Sequence, residues 1–160
     1  MSEQALDFSL PNVGPGPDPL SLSALAADND FVVLLFQRDE YCTNCRKQVR
    51  AVKDRYDDFR QRRAEVVSIL PEPREAAKAW QDRYDLPYPL CADPDASVGD
   101  AYDQPVRFGF LGKWSDFLGR MPVAVLVDVR EEPTVVWSYR GSSTFDRPDI
   151  DEILANIDAQ

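Results

Sequence analysis

The longest uninterrupted apolar run in the chain is Phe31-Val32-Val33-Leu34-Leu35-Phe36. Six such residues without a polar break suit a strand covered on both faces of a sheet. Glu65 to Leu70, with Val66, Val67, Ile69 and Leu70, predicts a second buried strand that Pro71 stops, and Ala124 to Val129 predicts a third. Thr134 to Arg140 alternates at Val135, Trp137 and Tyr139, so it reads as an antiparallel partner returning after the turn at Arg130 to Pro133. Helical spacing appears three times. Cys45, Val49, Val52, Tyr56 and Phe59 recur at steps of four, three, four and three, which predicts a helix from Thr43 to about Arg63, closed by the cations Arg60, Arg62 and Arg63. Ala76, Ala77 and Trp80 share a face of a helix from Pro73 to about Tyr84, and Ile150, Ile153, Leu154 and Ile157 mark a final helix over Asp149 to Ala159.

Shorter signals fill the gaps. Leu6 to Leu10 reads as an edge strand closed by Pro11, and Leu20-Ser21-Leu22 as a short strand, after which Ser23 caps a helix through Ala27. Leu86 to Cys91 is extended, and Asp93-Pro94-Asp95-Ala96 turns into a short helix ending near Tyr102. The resulting order, β-(α)-β-α-β-α-(α)-β-β-α, predicts an α/β architecture: a central mixed sheet with helices on both faces.

Candidate chemistry sits where the first buried strand gives way to the long helix, at Cys42-Thr43-Asn44-Cys45. Unpaired N–H groups and the positive end of the helix dipole favour a thiolate there, and two cysteines spaced by two residues in that setting read as a redox dithiol. Half of a structural zinc site is the competing reading, but such a site needs four ligands and the chain has three cysteines and no histidine. Inert burial is disfavoured by the polar surroundings: Arg38, Asp39, Glu40, Asn44, Arg46 and Lys47. Soft Cu(I) on the two thiols is a third, weaker reading.

At 160 residues the chain has the size of one domain, and the expectation is a single unit over 1–160. No apolar run approaches the roughly 20 residues of a membrane span, and Met1 to Ala5 lacks the pattern of a signal peptide, so the expectation is a soluble protein in the reducing cytoplasm. The net charge of −10 comes from 20 Asp and 8 Glu against 14 Arg and 4 Lys, an acidic, lysine-poor balance like that of proteins from salt-loving microbes. It disfavours nucleic acid as a partner. Neither a cofactor nor a resident metal is called for.

The chain resembles a known family. The resemblance rests on Asp7-Phe8-Ser9-Leu10-Pro11, the strand-then-cysteine segment, Leu86-Pro87-Tyr88-Pro89-Leu90 with Ala92-Asp93-Pro94-Asp95, Ala101-Tyr102, and Val125-Leu126-Val127-Asp128. It is to the peroxiredoxin, or AhpC/TSA, branch of the thioredoxin fold, over Leu6 to about Ile157. That family's loop reads PxxxTxxC, which here puts Cys45 at the peroxide-attacking position, Cys42 where threonine belongs and Arg38 where proline belongs. The family's arginine ahead of the strand ending at Asp128 falls on Pro122, with Arg120 two residues earlier; Pro122 instead resembles the cis-proline that faces the dithiol in thioredoxins.

The resemblance implies a thiol-disulfide redox enzyme that reduces peroxides or disulfides by cycling Cys42 and Cys45, drawing electrons from a thioredoxin-like or other dithiol donor. For disulfide exchange Cys42 is expected to attack and Cys45 to resolve; for peroxide the family pattern reverses the roles. Arg38, Arg46 or Arg120 would stand in for the missing donors that hold a peroxide. Tyr41 is expected to pack beside the pair, and Cys91 to be a buried packing thiol. A disulfide reductase without peroxidase activity and a non-catalytic redox-sensing module are the alternatives. The aromatic stretch Arg107 to Leu118 reads as a lid over the chain's own core, or as a surface for substrate or a homodimer.

Overall fold

In the computed structural model of the protein, the described residues are 3–39, 41–102, 121–143 and 145–160. The Arg107 to Leu118 stretch lies outside them. The predicted centre of the sheet is β4, Phe31–Phe36, buried at every position. It pairs in parallel with β5, Ala64–Leu70, and antiparallel with β7, Val123–Asp128. Outside these lie β6, Leu90–Ala92, beside β5, and β8, Thr134–Arg140, beside β7. A two-residue strand β1, Glu3–Gln4, completes a six-stranded sheet of order β1-β8-β7-β4-β5-β6. Of the predicted edge strand over Leu6 to Leu10, only β2, Ser9–Leu10, forms, and it pairs with β3, Leu20–Ser21, in a separate two-stranded sheet.

The period-2 alternation of the sheet sorts its side chains into two cores. Val33, Leu35, Val66, Leu70, Ala124 and Leu126 face one side, together with Cys42, Cys45, Val49 and Val52. Val32, Leu34, Val67, Ile69, Cys91 and Val125 face the other. The first core is closed by α2, Thr43–Asp54, by α4, Arg74–Tyr84, and by α6, Ile150–Asp158, which buries Ile150, Ile153, Leu154 and Ile157 as its spacing predicts. The second is covered in part by α1, Leu22–Ala26, and α5, Ser97–Ala101.

Two helix boundaries differ from the sequence reading. The cap of α1 is Ser21, whose side chain accepts from the Ala24 N–H at 3.1 Å, rather than Ser23. The long helix breaks at Arg55 (φ −112°, ψ 16°) and resumes as α3, Tyr56–Arg60. The apolar stripe continues through the break to Phe59, so its spacing alone reads as one helix. The register Ile69↔Phe36↔Val123↔Arg140 brings the end of β4, the start of β7 and the end of β8 to one edge of the sheet. The site is built there.

Candidate active site

The chain leaves β4 through Gln37, fully buried, whose N–H donates to the Ile69 carbonyl at 2.9 Å. The following turn is held by Asp39. Its carboxylate accepts from the Tyr41 N–H at 2.8 Å and from the Arg38 guanidinium at 2.6 Å, and its carbonyl accepts from the Cys42 N–H at 3.4 Å. That turn sets Cys42 as the N-cap of α2, and its sulfur accepts from the Cys45 N–H at 3.2 Å. The helix then places Cys45 over Cys42. The two form a disulfide with Cα atoms 5.2 Å apart, well inside the range a disulfide spans.

A residue absent from the sequence reading completes the site. Arg147 lies between β8 and α6, and its Nη2 donates to Cys45 Sγ at 2.8 Å and reaches Cys42 Sγ at 3.6 Å. Its Nη1 donates to Gln37 Oε1 at 3.0 Å and to Gln48 Oε1 at 2.9 Å. Gln37 Nε2 in turn donates to Gln48 Oε1 at 3.0 Å. Two neutral amides thus aim a guanidinium at the sulfurs without neutralising it. Burial, and then the nearby Arg38 charge, push Arg147 down to about 10, so it stays cationic at neutral pH. Cys45 Sγ also accepts from the Arg38 N–H at 3.4 Å. A thiolate on Cys45 therefore has a cation, a backbone N–H and a helix N-terminus to stabilise it.

The loop that carries Arg147 is itself pinned. The Gly141 N–H donates to the Pro122 carbonyl at 2.8 Å, and the Asp146 carboxylate accepts from the Ser142 N–H at 2.8 Å and from the Tyr139 hydroxyl. The Tyr139 and Ser142 hydrogen bonds hold the Asp146 carboxyl below the usual range. A side chain at position 141 would meet the Asp146 carbonyl at 2.4 Å and Pro122 Cγ at 2.8 Å, so only glycine fits.

The sequence-predicted residues fall out as follows. Cys42 and Cys45 are together, as expected. Pro122 lies at the start of β7, on the sheet edge that carries the pair, but the cis peptide among the described residues is Asp18–Pro19; Pro122 is not the expected cis-proline, and its part is to anchor Gly141. Arg38 approaches the pair through its backbone N–H while its guanidinium is held by Asp39. Arg46 follows Cys45 on α2, its N–H donating to the Cys42 carbonyl at 3.1 Å. Arg120 lies outside the described residues. Tyr41 does not pack into the structure beside the pair: it is 68% exposed and stands at the mouth of the site. Cys91 is an unpaired buried thiol, pushed up to about 12 by burial, and it faces the opposite core from the dithiol.

Access is one-sided. Cys45 has no exposed surface, whereas Cys42, 5% exposed, lines a depression of 420 Å³ with Arg38, Tyr41, Asn44, Lys47 and Phe145. A second depression of 280 Å³ shares Asn44, Lys47 and Phe145 with the first and runs on past Ala51, Pro148 and Ile150.

A recessed CxxC at a strand-to-helix junction, on this sheet order, points to a thiol-redox lineage, and comparison with known proteins supplies which one. Residues 1–128 match the model of the AhpC/TSA family. The chain belongs to the AhpC/TSA family. The matched part of this AhpC/TSA protein ends before Arg147. It is 33% identical to chloroplastic peroxiredoxin Q of Sedum lineare over 104 residues, which is 65% of this chain and 50% of that protein. It is 34% identical to the Arabidopsis thaliana peroxiredoxin Q over 103 residues, or 64% and 46% of the two chains. The chain thus spans about half the length of these relatives. Among solved structures, peroxidoxin BcpB from Mycobacterium tuberculosis superposes with a TM-score of 0.81 at 25% identity, covering 99% of this chain and 96% of that one. A Xanthomonas campestris peroxiredoxin Q structure shares the thioredoxin fold, with a TM-score of 0.76 at 16% identity over 96% and 90% of the two chains.

Proposed function

We propose that this AhpC/TSA-family chain is a thiol-dependent oxidoreductase, one thioredoxin-like domain over 1–160, that reduces peroxides or disulfides by cycling Cys42 and Cys45 between dithiol and disulfide. The observation that carries the reading is the asymmetric pair: Cys42 opens onto a depression while buried Cys45 lies 2.8 Å from the Arg147 guanidinium.

The asymmetry supports one division of roles. In the reductive half, a donor thiolate attacks Cys42 Sγ, the Cys42–Cys45 bond breaks, and Cys45 leaves as the thiolate that Arg147 and the Arg38 N–H stabilise. A second donor thiol then attacks the donor sulfur, releasing Cys42 and forming the donor's disulfide. In the oxidative half, the Cys42 thiolate attacks a disulfide or a peroxide. With peroxide it becomes a sulfenic acid as water or an alcohol leaves, and the Cys45 thiolate displaces that hydroxyl as water to restore the disulfide. Burial of Cys45 favours Cys42 as the entry sulfur for both oxidants, against the order the family pattern implies for peroxide. Proximity within one helical turn does most of the resolving work.

The donor on this reading is a thioredoxin-like dithiol, and the compartment a reducing one such as the cytoplasm. Among the described residues no helix is long and apolar enough to cross a membrane. A second reading, disulfide reduction without peroxidase activity, is favoured by Cys42 standing where the family loop carries threonine. Rapid mixing with hydrogen peroxide and with insulin disulfide separates the two, on wild type, Cys42→Ser and Cys45→Ser. Cys42→Ser is expected to react with neither oxidant and Cys45→Ser to stop after one mixed disulfide or sulfenic acid. Turnover of neither oxidant by wild type removes the enzymatic reading and leaves a redox-sensing module.

A further inference from the structure

The depression at Cys42 and the one beyond it share Asn44, Lys47 and Phe145, and we propose that together they bind an extended polypeptide segment carrying a reactive cysteine, with an acidic residue and then an apolar residue following on the same side of that cysteine. The proposal rests on the thiol-exchange reading above and names the kind of thiol the site takes.

Three observations carry it. The first is extent. The compartment at Cys42 measures 420 Å³ and the one beyond it 280 Å³, joined along Asn44, Lys47 and Phe145. A small thiol fills only the first compartment, whereas an extended chain delivering its sulfur to Cys42 reaches the second with a neighbouring side chain, at about 3.3 Å per residue. The second is the aromatic pair at the rim. Phe145 is 81% exposed and Tyr41 68% exposed, while Cys42, which lines the same depression, is recessed. Standing aromatics around a recessed reactive atom admit a narrow segment and supply contact area to it; large exposed rings of this kind concentrate binding energy at interfaces.

The third is charge. Lys47 borders both compartments and forms no ion pair among the described residues. Arg38 lines the first compartment and Arg147 the second, against the acids Asp39, which is bonded to Arg38, and Asp149, which caps α6. Among the described residues the rim is thus locally cationic, in a chain of net charge −10. Over the few ångströms of a seated ligand the local cation governs, because the remaining charge is screened over about 8 Å at physiological salt. The far compartment is apolar, walled by Ala51, Phe145, Pro148 and Ile150. An acidic residue at Lys47 and an apolar one beyond it, against Ala51 and Ile150, match the walls in the order they lie from Cys42. The exchange itself balances as in the reductive half above: the segment's thiolate bonds to Cys42 Sγ, Cys45 leaves as thiolate, and a second segment thiol completes the two-electron reduction.

The test is the second-order rate at which blocked cysteine pentapeptides reduce the oxidised full-length protein, expressed per thiolate. The peptides carry Asp and then Leu outward from the cysteine, in either chain order, with Asp→Lys and Leu→Ser counterparts, and N-acetylcysteine stands for small thiols. In one order the Asp/Leu peptide is expected to outrun its Lys counterpart by roughly fivefold, the size of an exposed charge pair. Lys47→Glu is expected to invert that ratio, and Phe145→Ala to remove the gain from leucine; both side chains are exposed, so neither change disturbs the core. Equal rates for all peptides, a ratio that ignores Lys47→Glu, or N-acetylcysteine matching the best peptide each overturns the groove while leaving thiol exchange intact. Failure of every thiol, dithiothreitol included, to reduce the disulfide would instead overturn the function proposed above.

Discussion

Arg147 can be removed with little change of shape by replacing it with methionine, which keeps an unbranched stem but carries no charge. Gln37 Nε2 still donates to Gln48 Oε1, while the buried Gln37 Oε1 loses the Arg147 donor, so a modest loss of stability accompanies the change. The Cys45 sulfur loses a cationic donor at 2.8 Å. A charge pair near 4 Å is worth about 4 kcal/mol at an effective dielectric of 20, or roughly 3 pKa units at 1.36 kcal/mol each. The Arg38 N–H and the helix N-terminus still act on the sulfur, so the expectation is that the Cys45 thiol titrates higher without the guanidinium, by less than the full pair would give. The measurement is the ultraviolet absorbance of the thiolate against pH, in a Cys42→Ser background with and without Arg147→Met. Cys91, pushed up to about 12 by burial, titrates well above the range of interest and does not obscure the signal. Arg147→Lys keeps the charge but cannot serve a sulfur and two amide oxygens with a planar fork, so it is expected between the two. A Cys45 titration that does not move with Arg147, in a protein whose circular dichroism is unchanged, would refute the argument.

Three further outcomes are expected. Cys91→Ala leaves formation of the Cys42–Cys45 disulfide unchanged by mass spectrometry, because its sulfur faces the other core, and costs on the order of 1 kcal/mol in chemical denaturation. Gly141→Ala drives a methyl against the Asp146 carbonyl and Pro122, costs about 1–3 kcal/mol, and lowers the rate of peroxide or disulfide reduction by displacing the Arg147 loop. Burial raises the Glu65 carboxyl, against the Tyr56 hydroxyl and Val66 N–H that donate to it. The folded state therefore holds this proton more tightly than the unfolded one, so stability is fullest below the ordinary carboxylate range and falls as pH rises through the raised value. Denaturation across pH should show wild type losing stability relative to Glu65→Gln over that range, the lowered carboxylates such as Asp146 being common to both.

Much of this was legible in the residues. The Phe31–Phe36 strand has its predicted bounds, and the junction it forms with α2 locates the dithiol without further information. What periodicity cannot report is a contact made by tertiary return. Arg147 lies in an ordinary polar loop, Phe145-Asp146-Arg147-Pro148, with no spacing that marks it. Its proximity to Cys45 exists only because β7 and β8 run antiparallel beside β4 and end the hairpin at the sheet edge where the cysteines sit. The predicted β-β-α order held that clue: a loop following such a hairpin must pass the end of the central strand. Tyr41 went the other way, because a large aromatic beside a buried pair reads as packing, whereas the Asp39-held turn carries it outward. The cap at Ser21 was missed by two residues because Ser21 and Ser23 are equally good cap formers and only the bonded N–H of Ala24 distinguishes them.

The placement of both redox sulfurs within one helical turn has a consequence for the protein in the cell. Closing the Cys42–Cys45 bond takes no thiol from a distant loop and none from another molecule, so that one step is open to a solitary chain at any dilution. Nor does helix α2 have to come apart for the sulfurs to join, since the pair is bonded here with the helix intact from Thr43.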